Sequence, residues 1–195
     1  MKLKRVLLLV GIFAVLMTVA FSIFTVLSMS EDQFRDQMVQ SIGNTEGRDT
    51  HLAVGKNILD GDFDYVLNND ESLQDIVLSH DATVINFFAS WCVPCQREMP
   101  ELGELHEEVE GTDVAIIAVN IDDKVSDRDD FLAEHDVQFP VFEFHDETLG
   151  GDQYKVQLIP TTFFVSGDGE IVRAYIGEVH VDLMNNYISY VKETY

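Results

Sequence analysis

The chain has 195 residues, enough for one globular domain with appendages and too few for two well-packed ones. Its 35 acidic residues face 12 basic ones, a net charge of -23, which excludes the basic face that nucleic-acid binding needs. The cysteines are two, Cys92 and Cys95, too few and too close together for a disulfide framework.

The first 30 residues are a separate object. Lys2, Lys4 and Arg5 precede an uncharged run from Val6 to Ser30, whose core, Val6 to Leu27, can cross about 30 Å of hydrocarbon as a helix. Basic residues before the run, with Glu31 and Asp32 after it, predict a cytoplasmic N-terminus and an extracytoplasmic remainder, anchored in the cell membrane by a single pass. A cleaved signal peptide is the alternative, with Thr18 and Ala20 as small residues before a cut. The apolar part of a signal usually extends only about 7–15 residues, and this run continues past Ala20. Residues 1–30 are therefore read as a cytoplasmic stub and signal-anchor. Residues 31–57 are polar and punctuated by Gly43, Gly47 and Gly55, and read as a juxtamembrane helix and linker.

Residues 58–195 alternate strands and helices. Phe63 to Leu67 reads as a strand and Asn68-Asn69-Asp70 as a turn, with a short helix over Leu73 to Leu78. Thr83 to Ala89 is a nearly continuous apolar run, as a buried central strand requires. A helix is predicted from Val93 to Val109, its apolar positions Met99, Leu102, Leu105 and Val109 recurring every three or four residues, with a kink expected at Pro100. Val114 to Val119 is a second central strand, so strand, crossover helix and strand make a parallel pair. Next come a helix near Arg128 to His135, a short strand over Val141 to Phe144 and a short helix over Asp146 to Tyr154. Thr161 to Val165 and Glu170 to Ile176 flank Ser166-Gly167-Asp168-Gly169, the signature of a hairpin. An amphipathic helix over Val181 to Lys192 follows. The fold class is α/β, a mixed central sheet with helices on both faces, preceded by one transmembrane helix.

The chemistry lies in Trp91-Cys92-Val93-Pro94-Cys95, between a buried strand and a helix. Cys92 falls at the helix N-terminus, where unpaired amides and the macrodipole favour a thiolate. Cys95 lies one turn on, close enough to bridge, so Cys92 can attack a disulfide and Cys95 can resolve the product. A purely structural bridge closing so short a loop would contribute only about 2 kcal/mol through chain entropy. A zinc site needs further ligands, and the six histidines (His51, His80, His106, His135, His145 and His180) are scattered. No metal or other cofactor is expected.

Asn86-Phe-Phe-Ala-Ser-Trp-Cys-Val-Pro-Cys-Gln-Arg-Glu-Met-Pro100 and Ile159-Pro160-Thr161-Thr162-Phe163 resemble the thioredoxin superfamily, specifically membrane-anchored extracytoplasmic oxidoreductases of the ResA/TlpA type. The resemblance covers roughly residues 58–193. It implies a thioredoxin-like fold, dithiol-disulfide exchange on client proteins such as apocytochrome c, and electrons from a membrane thiol transporter of the CcdA type. It also implies a cis peptide at Pro160 opposite the Cys pair, beside which client backbone pairs. From the sequence alone Pro160 is a strand-entry proline of either isomer. Ile159 before it resembles the reducing members. Glu98 reads on its own as a solvated helix carboxylate. The resemblance assigns it to the redox site, where it would oppose thiolate formation. Asn86 stands where cytoplasmic thioredoxin carries a buried Asp, so a proton relay is not expected to pass through position 86. Trp91 is expected to pack beside Cys92 and, with Ile159 and Pro160, to meet the client; its plainer role is an apolar lid.

The acidic surplus suits a salty or alkaline exterior, or else attracts basic clients. Two other functions remain open: a disulfide oxidase or isomerase on the same fold, and a copper chaperone of the Sco type, although the latter uses a wider Cys spacing.

Overall fold

The computed structural model describes residues 11, 15, 17–19, 21, 51–68, 71–121, 124–144 and 151–195. The chain divides into two units, Met1–Thr45 and Glu46–Tyr195. In the first, the described residues are helical, and the Thr18 hydroxyl donates to the Val15 carbonyl at 2.8 Å. Most of the predicted span lies outside the described residues, as do residues 31–50 of the predicted juxtamembrane segment. Among the described residues no helix is long and apolar enough to cross a membrane.

The second unit is built on a six-stranded sheet in the order β1-β4-β3-β2-β5-β6. At its centre run β2 (Ala82–Phe88) and β3 (Val114–Asn120), in which every residue is buried. Continuous apolar sequence demands cover on both faces, and the crossover helix α2 (Val93–Val109) makes their pairing parallel. Next to β3, β4 (Val141–Phe144) is also parallel, and β1 (Phe63–Leu67) closes that edge antiparallel to β4. On the other side, β5 (Thr161–Ser166) and β6 (Ile171–Ile176) form the predicted hairpin, antiparallel to β2. Its turn needs Gly169, which sits at φ +88°, and a Cβ there would meet Asn57 Oδ1 at 2.5 Å.

One face of the sheet presents Ile85, Phe87, Ile117, Val119, Phe142, Phe163 and Val165 to α1 (Leu73–Leu78), Tyr154, Val156 and Ile58. Helix α2 packs on β3, and the last helix, α5 (Val181–Thr194), packs on β2, β5 and α2. Leu102 and Leu105 of α2 are fully buried, each contributing about 1.5–3 kcal/mol by leaving water. Helix α2 runs on through Pro100.

Three differences from the sequence reading exceed a residue or two. Helix α3 (Val125–Glu134) begins three residues before Arg128, which is buried mid-helix and donates to Glu143 on β4 at 2.7 Å. Helix α4 is a single turn, Gly151–Tyr154, and residues 146–150 of the predicted helix lie outside the described residues. Residues 51–57, read as linker, pack onto the sheet. Ala53 is fully buried, Gly55 N–H donates to the Ile171 carbonyl and Ile171 N–H to the Lys56 carbonyl, both at 2.9 Å. The Tyr154 hydroxyl secures the following turn through the carbonyls of Asn57 and Ile58. The packed body therefore begins upstream of residue 58.

Candidate active site

The first element of the site follows from where β2 stops. After Phe88 the chain turns through Ala89, Ser90 and Trp91 and enters α2 with Cys92 at the N-cap. Cys92 holds an extended backbone, and its Sγ accepts the Cys95 N–H at 3.2 Å. Pro94 lies in the first helical turn, where an N–H has no intrahelical partner to lose. This geometry puts Cys92 and Cys95 5.2 Å apart at Cα, joined as a disulfide. Cys95 is completely buried, and Cys92 keeps 4% of its surface exposed. A reactant therefore meets Cys92 first.

The second element arrives from β5. Thr161 lies opposite Phe87 in the antiparallel pair, so the loop entering β5 and the loop leaving β2 lie at the same end of the sheet. The Ile159–Pro160 peptide is cis. The Pro160 carbonyl accepts Gly177 N–H at 2.8 Å. Trp91, Val93 and Leu158 are each more than half exposed at this end of the molecule. Trp91 thus offers exposed aromatic surface next to Cys92 in the chain, and Ile159 is half-buried.

Glu98 is the third element and is not a surface charge. Three residues beyond Cys95 on the same face of α2, it is 1% exposed. Its Oε1 accepts from Asn86 Nδ2 at 2.8 Å, and its Oε2 from the Val179 N–H at 3.0 Å. Burial pushes its pKa up to about 7, against the two hydrogen bonds, which favour the carboxylate. Glu178 raises it a little further, while Glu178's own pKa is held down by its hydrogen bonds from Arg97. One short loop, Gly177 to Val179, is thus tied to the cis-proline, to α2 through Arg97, and to the buried carboxyl.

All six residues singled out from sequence lie on these two adjoining loops and the first turns of α2. Sequence reasoning missed Asn86 and Thr162 as partners of the acid. Asn86 Nδ2 bridges Glu98 and Thr162 Oγ1, the latter at 3.0 Å. The available signal was a polar residue inside an otherwise apolar central strand. Among the described residues no three His, Cys, Asp or Glu side chains gather as a metal site.

The arrangement is a disulfide at a helix N-terminus, with a buried acid further along the same helix and a cis-proline at the same end of the sheet. A family model described as AhpC/TSA family matches residues 54–174, more than half of the chain. The chain belongs to the AhpC/TSA family. Among curated relatives, it is 35% identical over 113 residues to the thiol-disulfide oxidoreductase ResA of Oceanobacillus iheyensis, covering 57% of this chain and 58% of that one. It is 29% identical over 108 residues to ResA of Bacillus subtilis, covering 55% and 60%. The matches thus span under two thirds of those relatives. A thioredoxin-related protein from Neisseria meningitidis superposes with a TM-score of 0.58 at 19% identity, covering 68% of this chain and 100% of that one. A putative thiol:disulfide interchange protein DsbE from Chlorobium tepidum gives 0.55 at 23%, covering 68% and 94%. These likenesses establish a thioredoxin-like fold for this family member.

Proposed function

We propose that the protein is a thiol-disulfide oxidoreductase that reduces disulfides of exported proteins on the outer face of the cytoplasmic membrane. The observation that carries the reading is the Cys92–Cys95 pair at the start of α2, with Cys95 buried one turn from a carboxyl that titrates near neutrality. The likeness to ResA thiol-disulfide oxidoreductases supports the activity, and the basic stub before an apolar run supports the location.

The mechanism follows from the two environments. In the reduced protein the Cys92 thiolate, favoured by the helix N-terminus, attacks one sulfur of a client disulfide held beside Pro160. A mixed disulfide forms and the client's other sulfur leaves as a thiolate. Glu98, as carboxylate, draws the proton from Cys95, whose sulfur then attacks Cys92 Sγ. The client's second sulfur leaves as a thiolate and takes the proton from Glu98, while the first takes one from solvent in place of the proton that Cys92 released on ionising. Two electrons and two protons have passed to the client, and the Cys92–Cys95 disulfide remains. A membrane dithiol donor of the CcdA type would return the electrons. Apocytochrome c, with its closely spaced cysteines, is the client class that the reading favours, and the acidic domain attracts a basic client.

The test is the reduction potential of the purified protein, equilibrated with a thiol redox buffer and read by Trp91 fluorescence. Glu98 beside the pair opposes thiolate formation, so the disulfide should be hard to reduce, with a potential near the roughly -270 mV of thioredoxin. A value near the roughly -120 mV of DsbA would replace the reductase with an oxidase.

A further inference from the structure

The buried acid is held by a residue with no titratable proton of its own. Asn86 is fully buried at the centre of the sheet, paired with Ala118 on one side and Thr162 on the other. Its Nδ2 spends both hydrogens, one on Glu98 Oε1 at 2.8 Å and one on Thr162 Oγ1 at 3.0 Å. Its Oδ1 is buried and has no partner among the described residues. Buried carbonyl oxygens are normally satisfied, so an orphan invites a reason.

We propose that Asn86 is a positioning residue of the redox site, an amide that donates to Glu98 when the carboxyl is ionised and turns over to accept from it when it is protonated. The proposal rests on the reading of Glu98 as the group that serves Cys95. An acid O–H cannot face an amide NH2, because both are donors. Turning the amide by half a rotation about χ2, a torsion with two nearly equivalent settings, exchanges its ends. Oδ1 then accepts from Glu98 O–H and from the Thr162 hydroxyl, which can donate as well as accept. The same contacts are satisfied in either proton state, and one unused amide end is left over each time. A Leu could serve neither state, and an Asp would place a second charge against the first. Since Thr162 lies two residues beyond Pro160 on β5, the amide also ties the acid to the strand that carries the cis-proline loop.

The surroundings of Glu98 are simple. From the loop before α5 come Glu178, paired with Arg97, and His180. On α2 itself lie Arg97, Glu101 and the Cys92–Cys95 pair, which adds two titrating thiols when reduced. Strands β2 and β5 carry no charged residue.

The test is a pH titration of the oxidised full-length chain by NMR, reading the Glu98 side-chain carboxyl carbon and the Asn86 side-chain amide. A Glu98→Gln spectrum identifies the carboxyl. In wild type the amide signals should move with the Glu98 midpoint, and in Glu98→Gln they should stop responding to pH. Asn86→Leu removes a charge-assisted bond from the carboxylate and only a weaker neutral one from the acid, so it should raise that midpoint by up to about 1 pH unit. Asn86→Asp, nearly isosteric, should split it into two steps, the upper one above wild type. Amide signals indifferent to pH, or a folded Asn86→Leu that titrates Glu98 as wild type does, would overturn the proposal. A Glu98→Gln protein whose reduced thiols titrate and exchange as in wild type would instead remove the tuning role of Glu98, and with it the redox meaning of the amide.

Discussion

The Glu98→Gln substitution should change how stability depends on pH, by an amount that can be worked out. In the folded, oxidised protein burial lifts this carboxyl from its ordinary 4.5 to about 7. A pKa that differs by one between the folded and unfolded states is worth about 1.4 kcal/mol, so the full effect is about 3 kcal/mol. The sign follows from where the proton sits. Between about pH 4.5 and 7 the folded state keeps a proton that the unfolded chain has released, so stability falls as pH rises through this window and levels off above it. A Gln carries no such burden, and its amide fits the site: one end accepts from Val179 N–H, and the other donates to Asn86 once that amide has turned. Urea denaturation of the oxidised proteins, followed by circular dichroism from about pH 4.5 to 8, makes the comparison. The other acidic residues titrate in both proteins and cancel. The variant should gain about 3 kcal/mol on wild type across the window, a large part of the 5–15 kcal/mol that holds an ordinary domain together. Parallel curves would refute the reasoning. They would mean that the bonds from Val179 and Asn86 already offset the loss of water and that Glu98 is ionised throughout.

Two other outcomes are expected. Alkylation of the reduced protein near neutral pH should label Cys92 much faster than Cys95, because Cys92 retains exposure and caps the helix while Cys95 is fully enclosed; peptide mass mapping with time reads the order, and faster labelling of Cys95 would reverse the assigned roles. Tyr154→Phe should cost about 1–3 kcal/mol by stripping the hydrogen bonds from the carbonyls of Asn57 and Ile58, and hydrogen exchange at Gly55 should quicken; unchanged exchange would show that segment to be held by other contacts.

Much of the fold is legible in the sequence because its centre is written in strong patterns. Runs such as Val84-Ile85-Asn86-Phe87-Phe88 and Val114 to Val119 fit only strands covered on both faces, and Ser166-Gly167-Asp168-Gly169 admits little but a tight reversal. What escapes is what side-chain pattern does not encode. The segment around Gly55 joins the sheet through backbone bonds at Gly55 and Lys56, which need no apolar periodicity, so its polar composition reads as linker. At the site, the cysteine pair announces itself by residue type and place. Glu98 does not, since a helix carboxylate is ordinarily solvated. Its burial depends on β2, β5 and the loop before α5 converging on α2, a tertiary fact. Asn86 is set aside as a proton relay because it lacks a titratable proton, which on the proposed role is the property that lets it face the carboxyl in either state without adding charge.

On the proposed mechanism the two thiols need opposite treatment, and the fold supplies it within one turn of α2. Cys92 must be ionised before a client arrives, and the helix N-terminus acts on it continuously without requiring a proton acceptor. Cys95 must stay quiet until the mixed disulfide has formed, then lose its proton quickly. A buried thiol ionises poorly in apolar surroundings, so a nearby base that is itself half-ionised near neutral pH suits the second step and a strong permanent charge does not. A fully ionised carboxylate would hold Cys95 protonated by repulsion, and a fully protonated one would accept nothing. The environment of Glu98, burial opposed by two hydrogen bonds, places it between those limits. In a chain of net charge -23 the reactive pair thus answers chiefly to one carboxyl, because most of the other acids among the described residues are exposed to water, where salt screens them.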